Sequence, residues 1–248
     1  MVRAVLFDYG DTLVRARMPE QRILARALRR SYDSLKTSGL RLGYEQFLEI
    51  DRSVFAKYSL IERSERRDIP DLVKYVELVG HSLGSLSLAR RRVIAARANE
   101  AFWNEIAHCH RLNVGVKPSL AKLQEMGIRM AVVSNHHNPS ALRKHLSELG
   151  TSPFFSTILA SSDMRYRKPD PRIFRKALSA LRRKPGESVF VGDSMTNDVR
   201  GAKGVGMYAV LVEKPGEPSS EDPGYEAIPD FRVPDLRGIP RIVGRLNR

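Results

Sequence analysis

The sequence predicts an α/β protein: a parallel-sheet core with an all-helical domain inserted after its first strand. Three observations carry this reading. A β-branched, mostly apolar run over residues 2–7 opens the chain and ends at a carboxylate, Asp8. From Arg15 to Asn113 the apolar residues then recur at helical spacing. Beyond Val114, short apolar runs alternate with helical stretches, which means βαβ units and a parallel sheet.

The first strand is read from Val2, Val5, Leu6 and Phe7. Four helices follow. Their apolar faces are Ile23, Leu24, Ala27, Leu28 and Leu35; Phe47, Ile50, Val54, Leu60 and Ile61; Leu72, Val73, Val76 and Val79; and Leu88, Val93, Ile94, Ala101 and Phe102. Gly39, Pro70 and the stretch from Gly80 to Gly84 separate them, and no strand is expected among them. A helix over 119–126 then precedes a strand over 128–133. Another helix starts near Pro139, whose fixed φ suits a first turn. Further strands are expected near 156–160, 188–191 and 208–212. The tail over 213–234 is rich in Pro, Gly and acidic residues and reads as loop, while 239–246 closes as a short helix. The core is thus Rossmann-like, from residues 1–14 and 114–248, with the helical domain over 15–113. Open parallel sheets bind ligands beyond the carboxyl ends of their strands.

Composition narrows the function. The 248 residues can bury a sizeable core, and 42% hydrophobic with 28% charged residues excludes wholesale disorder. The longest apolar runs are far too short to span a bilayer. Met1 leads directly into the first strand without a signal-peptide core, so a cytoplasmic location is expected. Cys109 is the single cysteine, which excludes an intramolecular disulfide and a Cys-based zinc site and leaves a packed thiol. The net charge of +14 comes from arginines spread along the chain. The densest group, Arg90-Arg91-Arg92 with Arg97, lies on a helix, and no zinc-finger or ribonucleoprotein motif accompanies it, so nucleic acid is not the expected partner. A positive field attracts anionic substrates such as phosphate esters.

Four clusters carry chemistry, each at an expected strand end. Phe7-Asp8-Tyr9-Gly10-Asp11-Thr12-Leu13 sets a carboxylate where the first strand stops. Val132-Val133-Ser134-Asn135 ends a strand in a small hydroxyl. Arg167-Lys168-Pro169-Asp170-Pro171 holds a compact cation at a loop end. Val191-Gly192-Asp193-Ser194-Met195-Thr196-Asn197-Asp198, followed by Gly201-Ala202, places two carboxylates five apart, a pattern suited to an all-oxygen magnesium shell.

In order and spacing, these clusters resemble the four motifs of the haloacid dehalogenase-like superfamily. The helical insert matches the position of that family's cap, which closes over the site and selects substrate. The resemblance implies a phosphohydrolase in which Asp8 attacks phosphorus and forms an aspartyl-phosphate that water hydrolyses. It assigns Ser134 and Lys168 catalytic parts, with Thr12, Ser134, Asn135 and Lys168 around the phosphate. Mg²⁺ is implied as cofactor, held by Asp8, the Gly10 carbonyl, Asp193 and Asp198. The implied partner is a small phosphoester. One departure stands out: the family's phosphatases carry a general-acid Asp two residues beyond the nucleophile, where this chain has Gly10 and places its acid one step later, at Asp11. That departure keeps two alternatives open, a 2-haloacid dehalogenase and a weakly active or non-catalytic binding protein of the same fold.

Other residues are read more plainly. His136-His137 reads as a solvated loop, and Phe102-Trp103 as packing within the cap. Tyr9 packs against the cap or screens the site from water. Arg63, Arg66 and Arg67 are the cap cations nearest to a specificity role.

Overall fold

The structure is a computed structural model that describes residues 1–65, 67–213 and 228–248. At the centre of its sheet lies β1 (Ala4–Phe7), between β4 (Arg129–Ser134) and β6 (Ser188–Gly192). Beyond β4 comes β5 (Thr157–Ala160); beyond β6 come β7 (Tyr208–Val212) and β8 (Phe231–Val233). The order is β5-β4-β1-β6-β7-β8 and every pairing is parallel.

Helices cover both faces of this sheet, which is why its strands read as continuous apolar runs rather than alternating ones. Val5 and Phe7 point to one face and pack with α5 (Val116–Glu125), α6 (Pro139–Glu148) and α10 (Ile239–Leu246) through Leu120, Leu142, Leu146, Ile239 and Val243. Ala4 and Leu6 point to the other, where α8 (Pro171–Leu181) supplies Ile173, Phe174 and Ala177 and α9 (Arg200–Gly204) supplies Ala202. The register sets Phe7 opposite both Val132 and Val191. Asp8, Ser134 and Asp193 therefore emerge at one edge of the sheet.

Between β1 and β4 lie α1 (Glu20–Thr37), α2 (Tyr44–Glu65), α3 (Asp71–Leu83) and α4 (Leu88–His108). They enclose a core of their own from Tyr32, Leu35, Phe47, Tyr75, Leu78, Ile94 and Ala98. The breaks fall where expected, and two of them rest on left-handed glycines, Gly39 at φ 100° and Gly84 at φ 70°.

The expectation of no strand over 15–113 fails at both ends of that range. β2 (Val14–Ala16) and β3 (His110–Leu112) pair antiparallel, so the chain enters and leaves the helical segment as a two-stranded ribbon. Three-residue strands are too short for a period to show. The tail expected as loop also holds β8, which pairs with β7; residues 214–227 lie outside the described ones. The helix expected over 119–126 starts earlier, at Val116, directly after the left-handed Gly115. Among the described residues no helix is long and apolar enough to cross a membrane.

Candidate active site

Asp8 leaves β1 buried, its backbone N–H donating to Val191 O at 2.9 Å. The next residues turn sharply: Asp11 is left-handed at φ 52°, Thr12 N–H donates to Gly10 O at 2.6 Å, and Leu13 and Val14 N–H both donate to Tyr9 O. From the opposite side Lys168 reaches in just before α8. Its Nζ lies 2.5 Å from Asp8 Oδ1 and 2.7 Å from Asp198 Oδ1, with 2% of the residue exposed. Asp8, Asp193 and Asp198 each offer a carboxylate oxygen within 4.8 Å of the others.

The sequence holds this group together in three ways. Asn135 clamps the lysine's backbone, accepting from Lys168 N–H at 2.7 Å and donating to Lys168 O at 3.1 Å. Thr12 is fully buried, and its hydroxyl donates to Asp193 Oδ1 at 3.2 Å. Asp198 sits on a π-helical turn, Met195–Val199, where its Oδ2 accepts from Ser194 N–H at 3.0 Å. That turn closes against Gly192, where a Cβ would run into the Asp198 carboxylate. Asn135 and Thr12, expected at the phosphate, thus make their bonds to neighbouring site residues. Asn135 still lines the cavity; Thr12 does not.

Three carboxylates share one lysine, and their electrostatics show the strain of it. Burial pushes Asp8 up to about 8; Lys168 opposes this, while Asp198 and Asp193 add to it. Burial, then Asp198 and Asp11, raise Asp193 to about 6. Burial alone would lower Lys168, but Asp198 and Asp8 outweigh it and hold the ammonium charged. The excess of negative charge and the all-oxygen donor set fit a divalent cation of the magnesium type. Gly10 lines the same cavity.

The cavity is about 590 Å³. Asp8, Gly10, Asp11, Ser134, Asn135, Lys168, Asp193 and Asp198 line its floor, and α1 and α4 form the facing wall with Glu20, Ile23, Leu24, Phe102, Trp103 and Ile106. Several residues read plainly from the sequence belong here. His136 is not solvated: it is 7% exposed, lines the cavity, and lies 4.3 Å from Trp103 between ring centroids. Its Nδ1 accepts from Asn138 N–H at 3.0 Å, and burial, with His137 adding to it, lowers its pKa to about 3, so the ring is neutral. Trp103 and Phe102 are cavity lining as well as packing. Tyr9 is tied to α6 through a hydroxyl contact with His145 Nδ1. Arg63 and Arg67 do not line the cavity, and Arg66 lies outside the described residues. Cys109 is a packed thiol, 2% exposed, against Glu105.

A family model described as haloacid dehalogenase-like hydrolase matches residues 2–206. The chain belongs to the haloacid dehalogenase-like hydrolases. A glyceraldehyde 3-phosphate phosphatase of Methanopyrus kandleri is 28% identical over 255 residues, covering all of both chains. A phosphoserine phosphatase of Thermus thermophilus is 39% identical over 140 residues, 56% of this chain and 54% of that one. In fold, the chain resembles a 2-haloacid dehalogenase from Pseudomonas syringae, with a TM-score of 0.75, 22% identity and 99% of each chain covered.

As a haloacid dehalogenase-like hydrolase, the chain brings the four motif clusters to one sheet edge. Gly10 leaves a gap in that set: a Cβ there meets nothing within 4 Å.

Proposed function

We propose that this hydrolase is a magnesium-dependent phosphatase of small phosphorylated metabolites, with Asp8 as its nucleophile. The arrangement that carries the reading is Asp8, Asp193 and Asp198 grouped around Lys168 at the carboxyl edge of the sheet. The phosphatase names of the relatives in M. kandleri and T. thermophilus support it.

In this reading an Asp8 carboxylate oxygen attacks phosphorus as the ester oxygen departs with its electron pair. Water then cleaves the aspartyl-phosphate and returns the carboxylate. Lys168 stays protonated and offsets the charge of nucleophile and phosphoryl group together. Ser134, 4% exposed at the end of β4, donates to a phosphoryl oxygen. Asn135 keeps Lys168 in place and Thr12 keeps Asp193 in place. Asp8, Asp193, Asp198 and the Gly10 carbonyl would hold magnesium, which supplies further positive charge where phosphate oxygens gather.

The dehalogenase alternative has Gly10 in its favour. Against it stands the retained Asp193, a carboxylate that displacement at carbon without a metal does not need. Hydrolysis of p-nitrophenyl phosphate tests the proposal directly. Magnesium-dependent release that EDTA and Asp8→Asn both abolish is the expected result. Folded protein that turns over nothing at high enzyme concentration, yet releases halide from 2-haloacids, would decide for the alternative.

A further inference from the structure

The charge distribution of the cavity says something about the rest of the substrate. The chain carries 42 lysines and arginines. Among the described residues, one of them lines the cavity, Lys168, and its ammonium is already engaged by Asp8 and Asp198. On the wall facing the phosphate site, α1 and α4 present Ile23, Leu24, Phe102, Trp103 and Ile106. The charged group on that wall is a carboxylate, Glu20, and it is exposed. His136 on Trp103 is neutral. His110 directs Nδ1 to Ile106 O at 2.7 Å, away from a role as anion ligand at that atom.

On the strength of the phosphatase reading, we infer that the substrate is a monophosphate ester whose leaving group is uncharged, apolar and of aromatic size. A second phosphate or a carboxylate on the substrate would enter a wall with no counter-ion and would face Glu20 instead. Burying an unpaired charge is costly, so the wall rejects such esters more than it attracts apolar ones. The wall has what an apolar group needs: Leu24 is 47% exposed at the cavity and free to be covered, and Trp103 lines the same wall. Gly10 points the same way by separate means. With a glycine rather than a carboxyl two residues beyond Asp8, an alcohol acidic enough to leave unprotonated, such as a phenol, is the leaving group that loses least.

The experiment compares two non-hydrolysable phosphonates by titration calorimetry with magnesium present: benzylphosphonate, with an apolar arm, and phosphonoacetate, with a carboxylate. Turnover of p-nitrophenyl phosphate is measured alongside. Benzylphosphonate is expected to bind at least about tenfold more tightly, the lower end of what one small apolar contact discriminates. Leu24→Ser should weaken benzylphosphonate, and Glu20→Lys should strengthen phosphonoacetate; both residues are exposed, so neither change threatens the fold. Equal or tighter binding of phosphonoacetate, or no binding of benzylphosphonate, overturns the inference even if p-nitrophenyl phosphate is hydrolysed. Selective binding of benzylphosphonate without any turnover removes the phosphatase reading and leaves the apolar wall as found.

Discussion

Gly10 stands two residues beyond the proposed nucleophile, in backbone that is not left-handed and with open space where a side chain would go. Asp11, next in line, is left-handed and exposed, and its carbonyl accepts from the Asn113 side chain at 3.1 Å. A Cβ at position 10 meets neither steric nor backbone resistance. Gly10→Asp should therefore raise kcat on alkyl phosphates, which need a proton on departure, by up to about 10²–10⁴-fold. p-Nitrophenyl phosphate, whose leaving group needs none, should change little. Steady-state kinetics on the two ester types check this, and a uniform change on both would count against a lost acid. At this scale the spacing of the motifs made legible which side chains meet: Asp8 and Asp193 follow strand ends, while Lys168 precedes α8 and Asp198 lies on the turn after β6. The spacing did not foretell the bonds that Asn135 makes to Lys168 or that Thr12 makes to Asp193. Such bracing bonds arise from tertiary contacts between segments far apart in the chain, which local spacing does not announce.

The element that positions Asp198 is the π-helical turn Met195–Val199 after β6. An extra residue in that turn brings Asp198 back over Gly192, where its carboxylate occupies the space of a Cβ. Gly192→Ala has to displace Asp198, and through it Lys168. Overpacking of this kind costs about 1–3 kcal/mol. The expected outcome is a lower urea midpoint, read by circular dichroism, together with weakened magnesium binding. Unchanged magnesium affinity would show that Asp198 does not need its present position. Long elements were readable from their period: α1 to α4, β1, β4, β6 and β7 all fall near their expected places. The ribbon of β2 and β3 was not, because Val-Arg-Ala and His-Arg-Leu carry no pattern of their own. They become strands only because four packed helices bring the two ends of the insert side by side. β8 followed a Pro- and Gly-rich stretch and drew its pairing from β7, again a tertiary cause.

For the whole molecule, the crowded carboxylates link stability to pH and to metal. Asp8 rises from 3.8 to about 8 on folding and Asp193 from 3.8 to about 6, so the folded protein binds protons that the unfolded chain has released. Stability from a raised group is full below its unfolded pKa and is lost as pH climbs through its folded value. The buried histidines run the other way: His136 falls from 6.5 to about 3 and His145 from 6.5 to about 4, so they favour folding increasingly as pH rises to 6.5. Below pH 6.5 the two trends oppose each other; from 6.5 to 8 Asp8 acts without them. Metal-free protein should therefore lose thermal stability across that upper interval. Magnesium competes with the protons on these carboxylates, so its stabilisation should be larger at pH 8 than at pH 6.5. At a hundredfold excess over Kd, a bound ligand adds about 2.7 kcal/mol, or roughly 5–10 °C for a chain of this size. Asp8→Asn removes the group responsible, and its metal-free melting temperature should stay flat over the same interval and exceed wild type at pH 8. Differential scanning fluorimetry at the two pH values, with EDTA and with magnesium, reads all of these. A wild-type melting temperature that does not fall from pH 6.5 to 8 without metal would mean that Asp8 is ionised there already, with Lys168 alone neutralising it, and the case for a cation drawn from charge excess would fail.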